Sequence, residues 1–156
     1  MTAIPDLNTL LEQEKQCRFS HFNFDTAWEI GTTLQAKAKQ ANYPVAIEVY
    51  AFGQPLFLAA LPGSSTENLE WIKRKRNSVL RAAHSSLYIG EANQAKQSPM
   101  ETHAYMNQAE YCDHGGSFPL FNQDGCIIGA VTVSGLAAID DHNLVYQTLL
   151  EHVERS

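Results

Sequence analysis

The chain has 156 residues, 44% of them hydrophobic and 18% charged, a balance that suits one globular domain over residues 1–156 burying roughly 70% of its unfolded surface. With 17 acidic and 11 basic residues the net charge is −6, which repels phosphate backbones and anionic lipid headgroups and argues against a nucleic-acid or membrane role. The opening Met1-Thr2-Ala3-Ile4-Pro5 has neither a basic start nor an apolar run, and Cys17, Cys112 and Cys126 are far apart with no C-x-x-C spacing, so a cytoplasmic protein with reduced thiols is expected.

Leu7, Leu10, Leu11 and Glu14 predict a short first helix, followed by a brief extended segment near residues 18–22. Ala27, Ile30, Gly31, Leu34, Ala38 and Ala41 recur at three-and-four spacing and predict a second helix, which Asn42-Tyr43-Pro44 ends. Val45, Ile47, Val49 and Ala51 alternate with Ala46, Glu48, Tyr50 and Phe52; across Gly53-Gln54 from them lies Pro55-Leu56-Phe57-Leu58-Ala59-Ala60-Leu61. This is a β-hairpin pattern.

Thr66 and Glu67 begin a third helix reaching Ala83 or beyond, with an interruption expected at Ser85-Ser86. Ser98-Pro99 starts a short helix, since proline in the first turn forfeits no needed hydrogen bond. Residues 118–121 and 126–133 flank Asn122-Gln123-Asp124-Gly125 as a second hairpin, and Asp140-Asp141 opens a last helix to about residue 153. Two hairpins among helices predict an antiparallel sheet covered by helices; a hairpin turn cannot supply the crossover of a parallel fold.

In the third helix Leu69, Ile72, Val79 and Ala83 form an apolar stripe whose rhythm Arg76 completes. A buried guanidinium needs an anion. Two readings stand: an internal ion pair with Asp140, Asp141 or a nearby glutamate, or an arginine that lines a pocket and binds an anionic ligand. Lys73, Arg74 and Lys75 are read as a solvated helix face.

Residues 113–119 read D-H-G-G-S-F-P. Gly115 and Gly116 leave backbone uncovered where a ligand or another segment could approach closely, with His114 at the rim, or they form a tight entry into the next strand. Ser134-Gly135 makes a similar turn after the following strand, and His142 lies in the first turn of the last helix. Cys112, His114 and His142 lack structural-zinc spacing, so no metal site is expected. No nucleophile and base pair is defined, and no catalytic residue is assigned.

The segments W-I-K-R-K-R-N at 71–77, D-H-G-G-S-F-P at 113–119, G-A-V-T-V-S-G-L at 129–136 and D-D-H-N-L-V at 140–145 resemble an uncharacterised branch of the haem-degrading domain family, related to HbpS-type haem-binding proteins and GlcG. F-D-T-A-W at 24–28 and G-x-P-L-F at 53–57 extend the resemblance over nearly the whole chain. It implies an α+β, profilin-like fold, with a central antiparallel sheet of four or five strands and helices on both faces, assembled as a homodimer or larger ring. Haem is the cofactor it implies.

The functional expectation is a cytoplasmic oligomeric pocket protein for a small anionic ligand, with haem and its slow oxidative degradation as the implied case. Arg76, His114, Gly115, Gly116, Ser134, Gly135 and His142 are the candidate ligand-binding residues. The alternative is a non-catalytic oligomeric scaffold or protein-interaction module.

Overall fold

A computed structural model describes residues 2–156. Its elements run α1 (Leu7–Gln16), β1 (Arg18–Phe19), α2 (Phe24–Gln40), β2 (Ala46–Ala51), β3 (Gln54–Ala60), α3 (Thr66–Ala82), α4 (Ser86–Ala95), a 3-10 turn at Met100–Thr102, β4 (Ser117–Asn122), β5 (Ile127–Ser134) and α5 (Ala138–Arg155). The five strands form one sheet in the order β1-β4-β5-β2-β3. Both hairpins are present, and β2 joins them by pairing antiparallel with β5. The expected α+β sheet with helices on both faces is therefore observed, with one refinement. The two-residue β1 runs parallel to β4, making the sheet mixed; the chain between them is long enough for a crossover that no hairpin could provide.

Strand alternation divides the sheet into two chemically different faces. Ile47, Val49, Ala51, Phe118, Leu120, Val131 and Val133 join Ala27, Ile30 and Leu34 of α2 and Val145 and Leu149 of α5 in the main apolar core. The opposite face, under α3, presents Glu48, Ser117, Thr132 and Ser134, all buried. Ser117 and Thr132 share a 2.8 Å hydroxyl hydrogen bond there. A buried polar layer costs stability unless its groups are paired, so α3 must present polar partners to it.

That requirement turns α3 away from the expected stripe. Leu69 is 38% exposed, whereas Lys75 is 4% exposed beside buried Ile72, Ser78 and Val79. The inward rhythm is Ile72, Lys75, Val79, and Lys75 is not part of a solvated face. Ala83 ends α3 in the left-handed conformation, at φ 58°. Ser85 then caps α4 by accepting from the Tyr88 amide, which places the helix break where the serine pair predicted it.

Candidate functional site

Lys75 projects from the middle of α3 between β5 and the start of α5. Its ammonium donates to the Val133 carbonyl and to Asp141 Oδ2, both at 3.2 Å. Asp141 also accepts from the backbone amides of Gly135, at 3.3 Å, and Leu136, at 2.9 Å. Both charged side chains are almost wholly buried, at 5% and 2% exposure. Burial pushes the Asp141 carboxyl up to about 6, against the opposing pull of Lys75 and the two amides.

The glycine pair makes this arrangement possible. Gly116 has φ +137°, and a β-carbon there would lie 2.6 Å from both Lys75 Nζ and the Val133 oxygen. One at Gly115 would lie 2.8 Å from the Ala138 oxygen. Both glycines therefore permit close packing of α3, β5 and α5 around the buried pair.

His114 is exposed and rests on the Trp71 ring, with centroids 5.0 Å apart. The Arg74 guanidinium also lies over Trp71, 4.6 Å from the ring centre. Two cavities meet at this histidine. One, of about 310 Å³, is lined by Asn68, Trp71, Lys75, Ser134, Gly135 and Asp141 together with His114 and Ala138. The other, of about 560 Å³, has apolar lining from Ile4, Leu87, Pro99 and Ile139, carboxylates at Glu91, Glu101 and Asp113, and again His114, Gly115 and Ala138. Both volumes fall in the range of small-molecule sites.

The structure thus brings His114, Gly115, Gly116, Ser134 and Gly135 into one neighbourhood. Arg76 and His142 line neither cavity. Arg76 Nε lies 3.4 Å from Glu48 Oε1, and its guanidinium sits over the Tyr50 ring at 4.4 Å. The anion that pairs with it is a glutamate of β2, distant in sequence, in an ion pair whose Nε and Oε1 make no hydrogen bond. His142 is fully buried behind the site, its Nε2–H donating at 2.7 Å to Gln13 Oε1 and its ring packed on Phe118 and Tyr146. Burial pushes its imidazole down to about 4.

Lys75, Asp141, Trp71 and Asn68 were not among the expected site residues. A signal for Lys75 was present in the spacing Asn68, Ile72, Lys75, Val79, which keeps the helical rhythm as well as the stripe through Arg76 does. Nothing local to the sequence marked Asp141 as its partner.

The chain as a whole is similar to known proteins. The HbpS-like haem-degrading protein family matches residues 22–149. A UPF0303 protein of Psychromonas ingrahamii is 45% identical over 95% of this chain and 93% of its own length. One of Serratia proteamaculans is 40% identical over 96% and 92%. Among solved structures, the Ybr137w protein superposes with TM-score 0.89 at 30% identity, covering 98% of this chain and 90% of that one. A PduOC:heme complex, at TM-score 0.70 and 18% identity over 83% and 93% of the two chains, shares the fold. HbpS, at 0.66 and 14% over 87% and 92%, shares it too. The chain belongs to the HbpS-like haem-degrading protein family.

Proposed function

We propose that this domain binds a compact anionic ligand across the two adjoining cavities, with haem as the candidate that family membership suggests. One observation carries the reading: His114 and Ala138 belong to the walls of both cavities, which therefore adjoin. Haem requires apolar room, an imidazole within reach and a cation for its carboxylates. Leu87, Pro99 and Ile139 line the larger cavity, His114 stands at the junction, and Lys75 lies in the smaller one, so the residues fit the group. Glu91, Glu101 and Asp113 would repel a carboxylate at the far end and orient it toward Lys75. Bound haem would supply redox chemistry with oxygen or peroxide. The chain's part is to hold the macrocycle, place His114 beside it and limit water through the Trp71 wall.

Titration with haemin tests this proposal. A Soret band should develop at about one equivalent in the native chain and weaken at least tenfold in affinity in His114→Ala, whose melting temperature should stay near that of the native protein because the ring is exposed. If His114→Ala unfolds, the histidine is structural; if haemin gives no saturable spectrum, the haem reading falls.

A second reading, self-association as a scaffold, is favoured by the free sheet edge. Among the described residues β3 pairs with β2 on one side only; it carries no charged residue, and Leu58 on it is 55% exposed. Phe24, Trp28 and Phe52 are exposed at 58%, 59% and 50%. Natural edges usually carry charge or cover to prevent pairing, and an uncharged strand can meet its own copy across a two-fold axis without repulsion. Sedimentation at micromolar concentration should show a dimer or larger species that Leu58→Lys dissociates. A single 17.3 kDa species from the native chain would remove this reading.

A further inference from the structure

We infer that Lys75, Ser134 and Asn68 form a built seat for one carboxylate group, open to a free small aromatic carboxylate as well as to the carboxylate arm of a larger ligand. The inference deepens the proposed ligand site and rests on its smaller cavity, without requiring haem.

A count of donors and acceptors supports it. An ammonium has three N–H donors; Lys75 spends one on Val133 and one on Asp141. Ser134 Oγ accepts from the Asn68 side-chain amide at 3.3 Å, which leaves its own hydroxyl hydrogen and the second amide hydrogen of Asn68. The Asn68 oxygen is occupied by the Ser65 amide in the cap of α3. Asp141 accepts from Lys75, Gly135 and Leu136. Each of Lys75, Ser134 and Asn68 therefore keeps a spare donor, Lys75 having no acceptor at all, and all three side chains line the same cavity. Lys75 and Ser134 are each 4% exposed, so these donors are held in place by packing and face little competition from bulk water.

A site with spare donors selects an acceptor-rich group, and burial strengthens each hydrogen bond made to a charged acceptor. Lys75 and Asp141 balance one another at the seat, and Asp140 and Asp141 both lie in the first turn of α5, so it is the spare donors rather than net charge that select the anion. A further cation, Arg74, lies over Trp71. Trp71 and His114 form one aromatic side of the cavity. At about 310 Å³ the space suits a single ring with its carboxylate pointing inward.

Benzoate is the probe, with benzamide and benzylamine as size-matched controls. In a Trp28→Phe background the remaining tryptophan, Trp71, reports occupancy by fluorescence. Benzoate should perturb Trp71 saturably and bind at least about tenfold more tightly than either control, while Ser134→Ala should weaken it by roughly tenfold, the loss of one hydrogen bond to a charged group. Lys75→Met/Asp141→Asn, which removes both buried charges together, should abolish binding while circular dichroism shows a folded chain. Equal binding of benzamide would overturn the carboxylate assignment, as would undiminished benzoate binding by the two variants. Haemin titration of the same proteins separates the two proposals: benzoate bound without a haemin spectrum leaves the seat and removes haem. Haemin bound identically by native and variant chains, with no benzoate response, removes the seat and leaves haem.

Discussion

Lys75 of α3 and Asp141 of α5 meet at 3.2 Å across the gap left by Gly116. Two helices on different sides of β5 are thereby tied through a glycine. Because both groups are almost wholly buried, the pair is not by itself a source of net stability, but removing one partner leaves an unmatched charge. Lys75→Met should cost about 3 to 5 kcal/mol in urea unfolding. Lys75→Met/Asp141→Asn should recover much of that loss, because the asparagine oxygen can still accept from Gly135 or Leu136. A double variant as unstable as the single one would show that shape at Lys75, rather than charge, decides stability.

The two glycines should respond differently to an added methyl group. At Gly116 both the positive φ and the contacts at 2.6 Å oppose a side chain, so Gly116→Ala should cost at least about 2 to 3 kcal/mol and Gly116→Val more, with ligand binding lost as well. Gly115 has no positive φ to protect. Gly115→Ala meets the Ala138 oxygen at 2.8 Å and Leu87 at 3.0 Å, which a small shift of α5 can relieve, so thermal denaturation should show a smaller loss. An equal loss at both positions would mean that close packing alone, without backbone conformation, sets the need for glycine.

The fold was legible because its signals are periodic: the alternation at Ile47, Val49 and Ala51 marks a strand, the spacing of Ile30, Leu34 and Ala38 a helix, and the turns between the hairpins carry glycine. The site was legible only in part. D-H-G-G drew attention to His114, Gly115 and Gly116 because paired glycines are conspicuous in sequence. Lys75 was hidden within a run of four basic residues, where one inward lysine looks like its solvated neighbours. Its burial depends on the Val133 carbonyl of β5 and on Asp141 of α5, information that no local window contains. Arg76 was recognised as needing an anion, yet Glu48 could be found only once β2 was placed beneath α3.

Arg76→Leu tests that second pair. Glu48 is buried, with its side chain 8% exposed, and burial already raises its carboxyl above the ordinary range while Arg76 opposes the rise. Without Arg76 the folded value rises further above the unfolded one. The Glu48 contribution is then fully present below the unfolded pKa and lost as pH rises through the folded one. The variant should therefore be less stable than the native chain by roughly 3 kcal/mol near neutral pH, and the gap should narrow as pH falls toward the unfolded carboxylate value. Guanidinium unfolding across that range checks both parts; a gap independent of pH would assign the loss to the packing of Arg76 on Tyr50.

The last expectation concerns His142, which joins α5 to α1 through Gln13 while Tyr146, one turn later, donates to Gln16. Its folded pKa is pushed from 6.5 down to about 4 by burial. Above the unfolded value the imidazole is neutral in both states and its full contribution is present. As pH falls below that value the unfolded chain takes up a proton that the folded chain resists, so stability declines until the folded value is reached. The difference corresponds to about 3 kcal/mol over this window. His152, also depressed by burial, acts in the same direction, whereas His84, raised by its hydrogen bond to Glu14, acts against it. Comparing the native chain with His142→Gln isolates the contribution, since glutamine does not titrate. The native melting temperature should fall more steeply than that of the variant between pH 6.5 and about 4, because the proton taken up sits on the buried Nδ1, which has no hydrogen-bond partner. Parallel pH profiles would place the acid sensitivity of this fold elsewhere.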